Sequence, residues 1–284
     1  MVKEMFEPQI NEYGEKGYYI NEYDLEQLAI RTKKQEKTYE ERIRREDSRQ
    51  QNKFTNTNMN SIDYISEHLT NAQIGYLMML ESYIDYDGKL IFSQKNKTPM
   101  QTKDLLKVLG LGTKDSTFHD FKKKCLEHEI LIENKNEKAL FINRKFIFKG
   151  AFKGMGMDVV STITKEAKKM NSNLKPTDLA ILYKLKKYVH VDSMALVWNP
   201  QETNLYKIKT LKAKDLPEIL GVSKGYIYQR LPQLVHDGEY LIAKVQVGKS
   251  KKYMLNPKIY FRGDYKTVQD NITSHCNSVF FMDN

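Results

Sequence analysis

Cysteine is scarce in this sequence: Cys125 and Cys276 are the two in 284 residues. They stand far apart and outside any CxxC pattern, which argues against a disulfide framework or a thiolate zinc cluster. No apolar run reaches membrane-spanning length, and the first residues lack the apolar stretch of a secretory leader. A soluble protein of the reducing cytoplasm, without membrane contact, is the expectation. Catalytic signatures are missing as well. Gly248-Lys249-Ser250 imitates the end of a phosphate-binding loop, but Ala243 stands where that loop needs another glycine. Gly154-Met155-Gly156 begins a dinucleotide fingerprint, but Val159 replaces its third glycine. His190 has Asp192, not a second histidine, two residues on, and the six histidines form no spaced metal pair. No nucleophile–histidine–acid set stands out, and the many Tyr and Phe residues read as core. The expectation is a protein that is not an enzyme and carries no cofactor and no metal.

The positive attributes begin with length and charge. The chain is long for a single core and suggests two modest domains. Hydrophobic residues make up 40%, enough to argue against wholesale disorder. The net charge is +10, unevenly spread. Residues 1–60 carry 11 Lys/Arg against 12 Asp/Glu, residues 61–174 carry 18 against 14, and residues 175–284 carry 17 against 10. The excess therefore sits on the two prospective folded units, where it would attract phosphate backbones.

Residues 24–52 predict a charged helix with Asp24 as cap and Glu40–Arg44 and Glu41–Arg45 spaced to pair along one face. Leu25, Leu28, Tyr39 and Ile43 are too sparse for a coiled coil, which favours a solvated helix docked on the body over a dimerisation or DNA-contacting arm. Asn52 to Asn60 reads as a linker.

An internal repeat carries the most information. Ile74, Leu77, Leu80, Tyr83 and Ile84 match Leu179, Leu182, Leu185, Tyr188 and Val189, each pair 105 residues apart. Lys103-Asp104-Leu105 through Leu109-Gly110 recurs at an offset of 111 as Lys214-Asp215-Leu216 through Leu220-Gly221. The run from Phe141 to Gly150 recurs at an offset of 113 from Met254 to Gly263, with Asn, Lys, Phe and Gly identical. Between the copies, Asp158 is placed to cap a connecting helix with Val160, Ile163, Ala167 and Met170 on its apolar face.

Each copy reads as helix, short strand, helix, tight turn, helix, strand, basic turn, strand. The middle is a helix-turn-helix. In copy two a helix over Ala213 to Leu220 ends at Gly221, and Ser223 caps the next. Ile227, Leu231 and Leu234 bury one face of that helix. Lys224, Tyr226, Tyr228, Gln229 and Arg230 are left on or near the other, which suits a major groove: Gln reads adenine, and Arg or Lys reads guanine or phosphate. Pro232 conflicts with a regular helix here. In copy one Thr102 and Thr113 are the expected caps. Phe118, Phe121 and Cys125 point inward, and Lys114, Ser116, His119 and the run Lys122-Lys123-Lys124 point outward. Asp115 and Asp120 lie among them and oppose phosphate. Strands are expected at Ala195 to Trp198, Leu205 to Thr210, Tyr240 to Val247 and Tyr253 to Leu255. The hairpin turn of copy two, Gly248 to Lys252, offers Lys249, Lys251 and Lys252 for backbone or minor-groove contact. Its counterpart in copy one, Lys135 to Lys138, is less basic.

Val222-Ser223-Lys224 followed by Ile227, Leu231, Leu234, Gly238 and Leu241 resembles the winged-helix core of MarR-type transcription regulators. Met254-Leu255-Asn256-Pro257 with Phe261-Arg262-Gly263 is similar to the closing segment of RepL-type replication proteins of firmicute plasmids. The resemblance covers roughly residues 60–266. Copy one departs from it with Arg144 for Pro257 and Lys149 for Arg262. It implies a mainly α fold with small β-hairpin wings (α+β): two tandem winged helix-turn-helix domains plus an N-terminal helix. The expected plan is an N-terminal segment 1–59, domain 1 over 60–152, a connecting helix or linker 153–174, domain 2 over 175–267 and a tail 268–284. The expected partner is double-stranded DNA at a phage or plasmid operator or origin. The chain would be a homodimer or a monomer that imitates one, and a host or phage protein partner stays open. The alternative is a protein-interaction or inhibitor module that uses the same fold without specific DNA binding.

Overall fold

The structure is a computed structural model that describes residues 8–10, 16–18, 54–93, 97–150, 158–191, 193–247, 250–263 and 280. The helix expected over residues 24–52, Lys249 and Cys276 lie outside the described residues. The chain divides into two compact units, Met1–Glu46 and Asp47–Asn284. The first shows an antiparallel hairpin of β1 (Pro8–Ile10) and β2 (Lys16–Tyr18). The second is a mixed α+β body. Eight helices and several small antiparallel sheets are present among the described residues.

Copy one begins with β3 (Phe54–Asn58), α1 (Ile62–His68) and α2 (Asn71–Glu81). Thr70 and Gln73 exchange hydrogen bonds in a capping box that starts α2. Ile74, Leu77 and Leu80 are buried, as their helical spacing predicts. α3 (Thr102–Val108), α4 (Asp115–Glu127), and a hairpin of β4 (Leu131–Asn134) and β5 (Ala139–Ile142) follow, then β6 (Ile147–Phe148). Copy two repeats this order. It runs β7 (Val159–Ile163), α5 (Thr164–Asn173), α6 (Pro176–Leu185), α7 (Leu216–Leu220), α8 (Lys224–Arg230), a small β8 (Val235–His236) and β9 (Glu239–Tyr240) ladder, the hairpin of β10 (Ile242–Val247) and β11 (Ser250–Leu255), and β12 (Tyr260–Phe261).

The copies agree down to single hydrogen bonds. An isolated bridge flanks each hairpin at the same place, Lys89 to Phe141 in one and Ala195 to Met254 in the other; the strand expected at Ala195 to Trp198 is present only as such bridges. Asn143 and Asn256, identical in the repeat, do the same work. Each side-chain oxygen accepts from the backbone N–H two residues on, Lys145 at 3.1 Å and Lys258 at 2.9 Å. Each side-chain nitrogen donates to a backbone carbonyl before the hairpin, Glu129 at 2.8 Å and Tyr240 at 3.0 Å. An asparagine that satisfies both sides of a turn cannot be replaced by an apolar residue without orphaning backbone groups.

The copies meet in a four-stranded sheet of order β12-β7-β3-β6. α2 packs on α6 beside it, and one continuous apolar core includes residues of both copies. The approach of the two helices is close: a Cβ added to Gly75 would fall 2.0 Å from the Pro176 carbonyl oxygen.

Five expectations need correction. Residues 54–60 are not a linker: β3 (Phe54–Asn58) lies inside the four-stranded sheet, paired on both sides with Thr55, Asn56 and Thr57 buried, and a 3-10 turn covers Met59–Ser61. The segment 159–163 is a strand, not the start of the connecting helix. Its Val-Val-Ser-Thr-Ile run is β-branched, and tertiary pairing to β3 and β12 satisfies its backbone. Asp158 accordingly caps no helix and instead sits 3.2 Å from Arg262. Leu205–Lys207 forms a 3-10 turn where a strand was expected, and of that segment only Thr210 bridges, to Val197. Thr102 and Thr113 cap neither helix of copy one. Asp104 accepts from the Gln101 N–H at 3.0 Å, and α4 starts after Lys114 without a side-chain cap. Finally, Pro232 ends α8. The helix stops at Arg230, a 3-10 turn covers Leu231–Gln233, and Val235 lies on a strand. α8 therefore has 7 residues where α4 has 13.

Candidate nucleic-acid interface

In copy two, α7, the turn after it and α8 are built as their residues dictate. Gly221 takes the left-handed conformation, φ 65°, that ends α7. The Ser223 hydroxyl accepts from the Tyr226 N–H at 3.3 Å and opens α8. Ile227 is fully buried, and Val222 packs partly buried against the core. Ser223, Lys224, Tyr226, Tyr228 and Gln229 are exposed. The Lys224 ammonium lies 5.7 Å from the Tyr228 ring centre, a cation–π distance. The exposed residues of α8 offer one cation, two phenols and one amide within two turns.

Arg230 belongs to the scaffold. Its Nε donates to Asp178 Oδ1 at 2.6 Å, a second guanidinium nitrogen meets Oδ2, and the third reaches Gln233. Asp178 is fully buried. The hydrogen bond to Asp178 holds the Arg230 pKa above its ordinary value, against the opposing effect of burial. The pair clamps α8 onto the first turn of α6, and Arg230 has little capacity left for a base edge or phosphate. Lys175, Thr177, Tyr226, Gln229, Arg230 and Gln233 line an open groove of about 490 Å³ along this edge.

The β10–β11 hairpin sets Lys251 opposite Gln246 and Lys252 opposite Val245, and its Tyr253 lies close enough to Tyr228 of α8 to feel that phenol's charge. Lys251 is exposed and Lys252 half-buried.

In copy one Phe118, Phe121 and Cys125 are buried, as expected, and burial pushes the Cys125 thiol pKa far up. Lys114, Asp115, Ser116, His119, Asp120, Lys123 and Lys124 are exposed. Lys122 sits 2.6 Å from Glu133 on β4, and Lys123 lies 4.0 Å from Glu127. Glu137 at the hairpin tip ties down Lys89. Lys89, Lys122 and Lys123 are thus neutralised locally, whereas α8 carries no acidic residue of its own.

Local sequence pattern does not reveal these neutralising partners. Asp178 lies 52 residues from Arg230, and Glu133 lies 11 from Lys122. It also misses a small cluster in which Glu166, His236 and Asp237 bring ligand atoms within 4.8 Å of one another. The Lys169 ammonium, 3.2 Å from Glu166 and 3.8 Å from Asp237, already supplies those carboxylates with a cation.

No helix among the described residues is long and apolar enough to cross a membrane. Searches for relatives found no matching family model, no matching curated protein and no matching solved structure.

Proposed function

We propose that this chain is a non-enzymatic, sequence-specific binder of double-stranded DNA. In this reading its two copies are tandem winged helices over 60–152 and 175–267, acting in the cytoplasm at a phage or plasmid operator or origin, as transcription regulator or replication initiator. The observation that supports it best is the outer face of α8. Lys224, Tyr226, Tyr228 and Gln229 stand exposed on a helix anchored from beneath by Ile227, next to a hairpin carrying Lys251 and Lys252. A rigid helix with cationic and amide side chains on its open face suits major-groove reading, and the hairpin suits the adjacent phosphates. Selection of bound sites from random duplex DNA tests the reading. Enrichment of a defined sequence supports it, and retention of specific binding by Lys224→Ala/Gln229→Ala removes α8 as the reading helix.

One observation favours a second reading, a protein-interaction module. Asp115 and Asp120 are exposed on α4, and the neighbouring Lys122 and Lys123 face acidic partners. A surface of mixed sign attracts phosphate less than a uniformly cationic one. Absence of any enriched duplex would turn the assignment toward this reading.

A further inference from the structure

Equivalent residues of the two copies do more than resemble each other: they meet. Asn56 lies opposite Ser161 in the β3–β7 ladder, and the Ser161 hydroxyl donates to Asn56 Oδ1 at 2.7 Å. These residues are 105 apart, the repeat offset of α2 and α6. Glu81 pairs with Lys186, again 105 apart. Away from Asn56 the register is reciprocal. Phe54 faces Ile163, the counterpart of Asn58, and Asn58 faces Val159, the counterpart of Phe54. The flanking strands obey the same rule. Phe148 lies opposite Asn56, and Phe261, its counterpart, lies opposite Ser161. Reciprocal pairing of this kind is the mark of an isologous, twofold interface. Here it is closed within one chain, with its axis running between Asn56 and Ser161. α4 and α8, each with its hairpin, are therefore related by rotation and not by translation.

We infer that the chain reads one duplex carrying two half-sites in inverted orientation, one chain per site, the two halves unequal in sequence. The inference rests on the DNA-binding reading above. The dyads of B-form DNA run perpendicular to its helix axis. A protein with a twofold engages one duplex with both modules equivalently only when the two dyads coincide, and that arrangement inverts the second half-site. A direct repeat demands a translation between modules, which this interface does not provide. A second chain is not needed, because the surface that would form a homodimer is already covered by the other copy. The halves differ because the reading faces differ. Copy two presents Lys224, Tyr226, Tyr228 and Gln229, and copy one presents Asp115, Ser116, His119 and Asp120. Gln matches adenine and a carboxylate matches the cytosine amino group, so one rotation places two different codes on the duplex. The half read by copy two holds more tightly, since α8 carries no acidic residue while Asp115 and Asp120 stand exposed on α4.

The full-length chain is incubated with random-sequence duplex DNA, and bound sequences are recovered. The enriched site is then compared with a version in which one half is flipped into direct orientation at the same centre spacing. Mass photometry counts chains per duplex. The expected result is an imperfect inverted repeat, one chain per duplex, and a loss of about tenfold or more on flipping either half. Lys224→Ala/Gln229→Ala, both at exposed positions, should erase the preference in one half and spare it in the other. An enriched direct repeat, a single isolated box, or two chains per duplex would overturn the inference while leaving DNA binding intact. No enrichment at all would overturn the DNA reading, and this inference with it.

Discussion

Lys186 donates to Glu81 at 2.9 Å inside the core, where both side chains are shielded from solvent and both occupy the same position of their respective repeats. Thr55 and Thr57 donate to the carboxylate at 2.9 and 3.3 Å, and Lys186 also donates to Thr57 and Thr162 at 2.8 and 2.9 Å. Burial lowers the Lys186 pKa, and Glu81 opposes that effect. The pair is a key of opposite charges at the twofold. Pairing copy one with copy one, or copy two with copy two, would bury like charges instead.

Breaking this pair strands a buried charge. Lys186→Met should destabilise the body by about 3–5 kcal/mol, measured by urea unfolding. Exchanging the charges, Glu81→Lys with Lys186→Glu, should recover most of the loss, because Thr57 and Thr162 are counterparts. Recovery should be incomplete, because Thr55 has Val160 as its counterpart and the moved carboxylate loses one donor. A double variant no more stable than the singles would mean that the positions are not interchangeable.

Arg230 and Lys224 share a helix but should answer differently to alanine. Arg230→Ala leaves Asp178 buried without its partner and should cost about 3 kcal/mol of stability. Lys224→Ala should leave the melting temperature within about 1 °C, as an exposed substitution that leaves the Ser223 cap in place, and should weaken DNA binding. Equal melting temperatures for the two variants would contradict the clamp.

DNA affinity should fall steeply with salt, since phosphate contacts release counterions. Lys251→Ala and Lys252→Ala should each reduce the slope of log K against log salt by about 1 if each contacts a phosphate. The same changes should alter affinity evenly across sequences. A changed sequence preference would mean that the hairpin reads bases.

Alkali should destabilise the protein early. Tyr183 and Tyr260 have pKa values well above 10.0, chiefly through burial and then through the nearby Glu81 carboxylate. Below the unfolded tyrosine pKa their contribution is intact. It is lost as pH rises from there through the raised folded values, because the unfolded chain releases protons that the native state retains. The Tyr183 hydroxyl is buried without a hydrogen-bond partner. Tyr183→Phe should therefore hold or raise stability at pH 7, by up to about 1 kcal/mol, and flatten the loss above pH 10. A steeper alkaline loss in the variant would contradict this account.

Some of these features were written locally in the chain. Spacing identified α2 and α6, because a helix places residues three and four apart on one face. It also marked Ile227, Leu231 and Leu234 as buried, but Leu231 and Leu234 lie beyond the end of α8. Gly221 and Ser223 announced the turn and the cap, and the offsets of the repeat announced that both copies share one order of elements. Other features depend on residues far away. The β-branched run at 159–163 is a strand because β3 and β12 lie ready to pair with it. Arg230 has the composition of a DNA contact and the position of a clamp, and the difference is a buried aspartate 52 residues upstream. Glu81 and Lys186 are ordinary charged residues in the sequence; only folding carries them out of water and against each other. Local pattern sets which atoms a segment exposes. Desolvation and pairing, which require the whole chain, decide which of those atoms remain available.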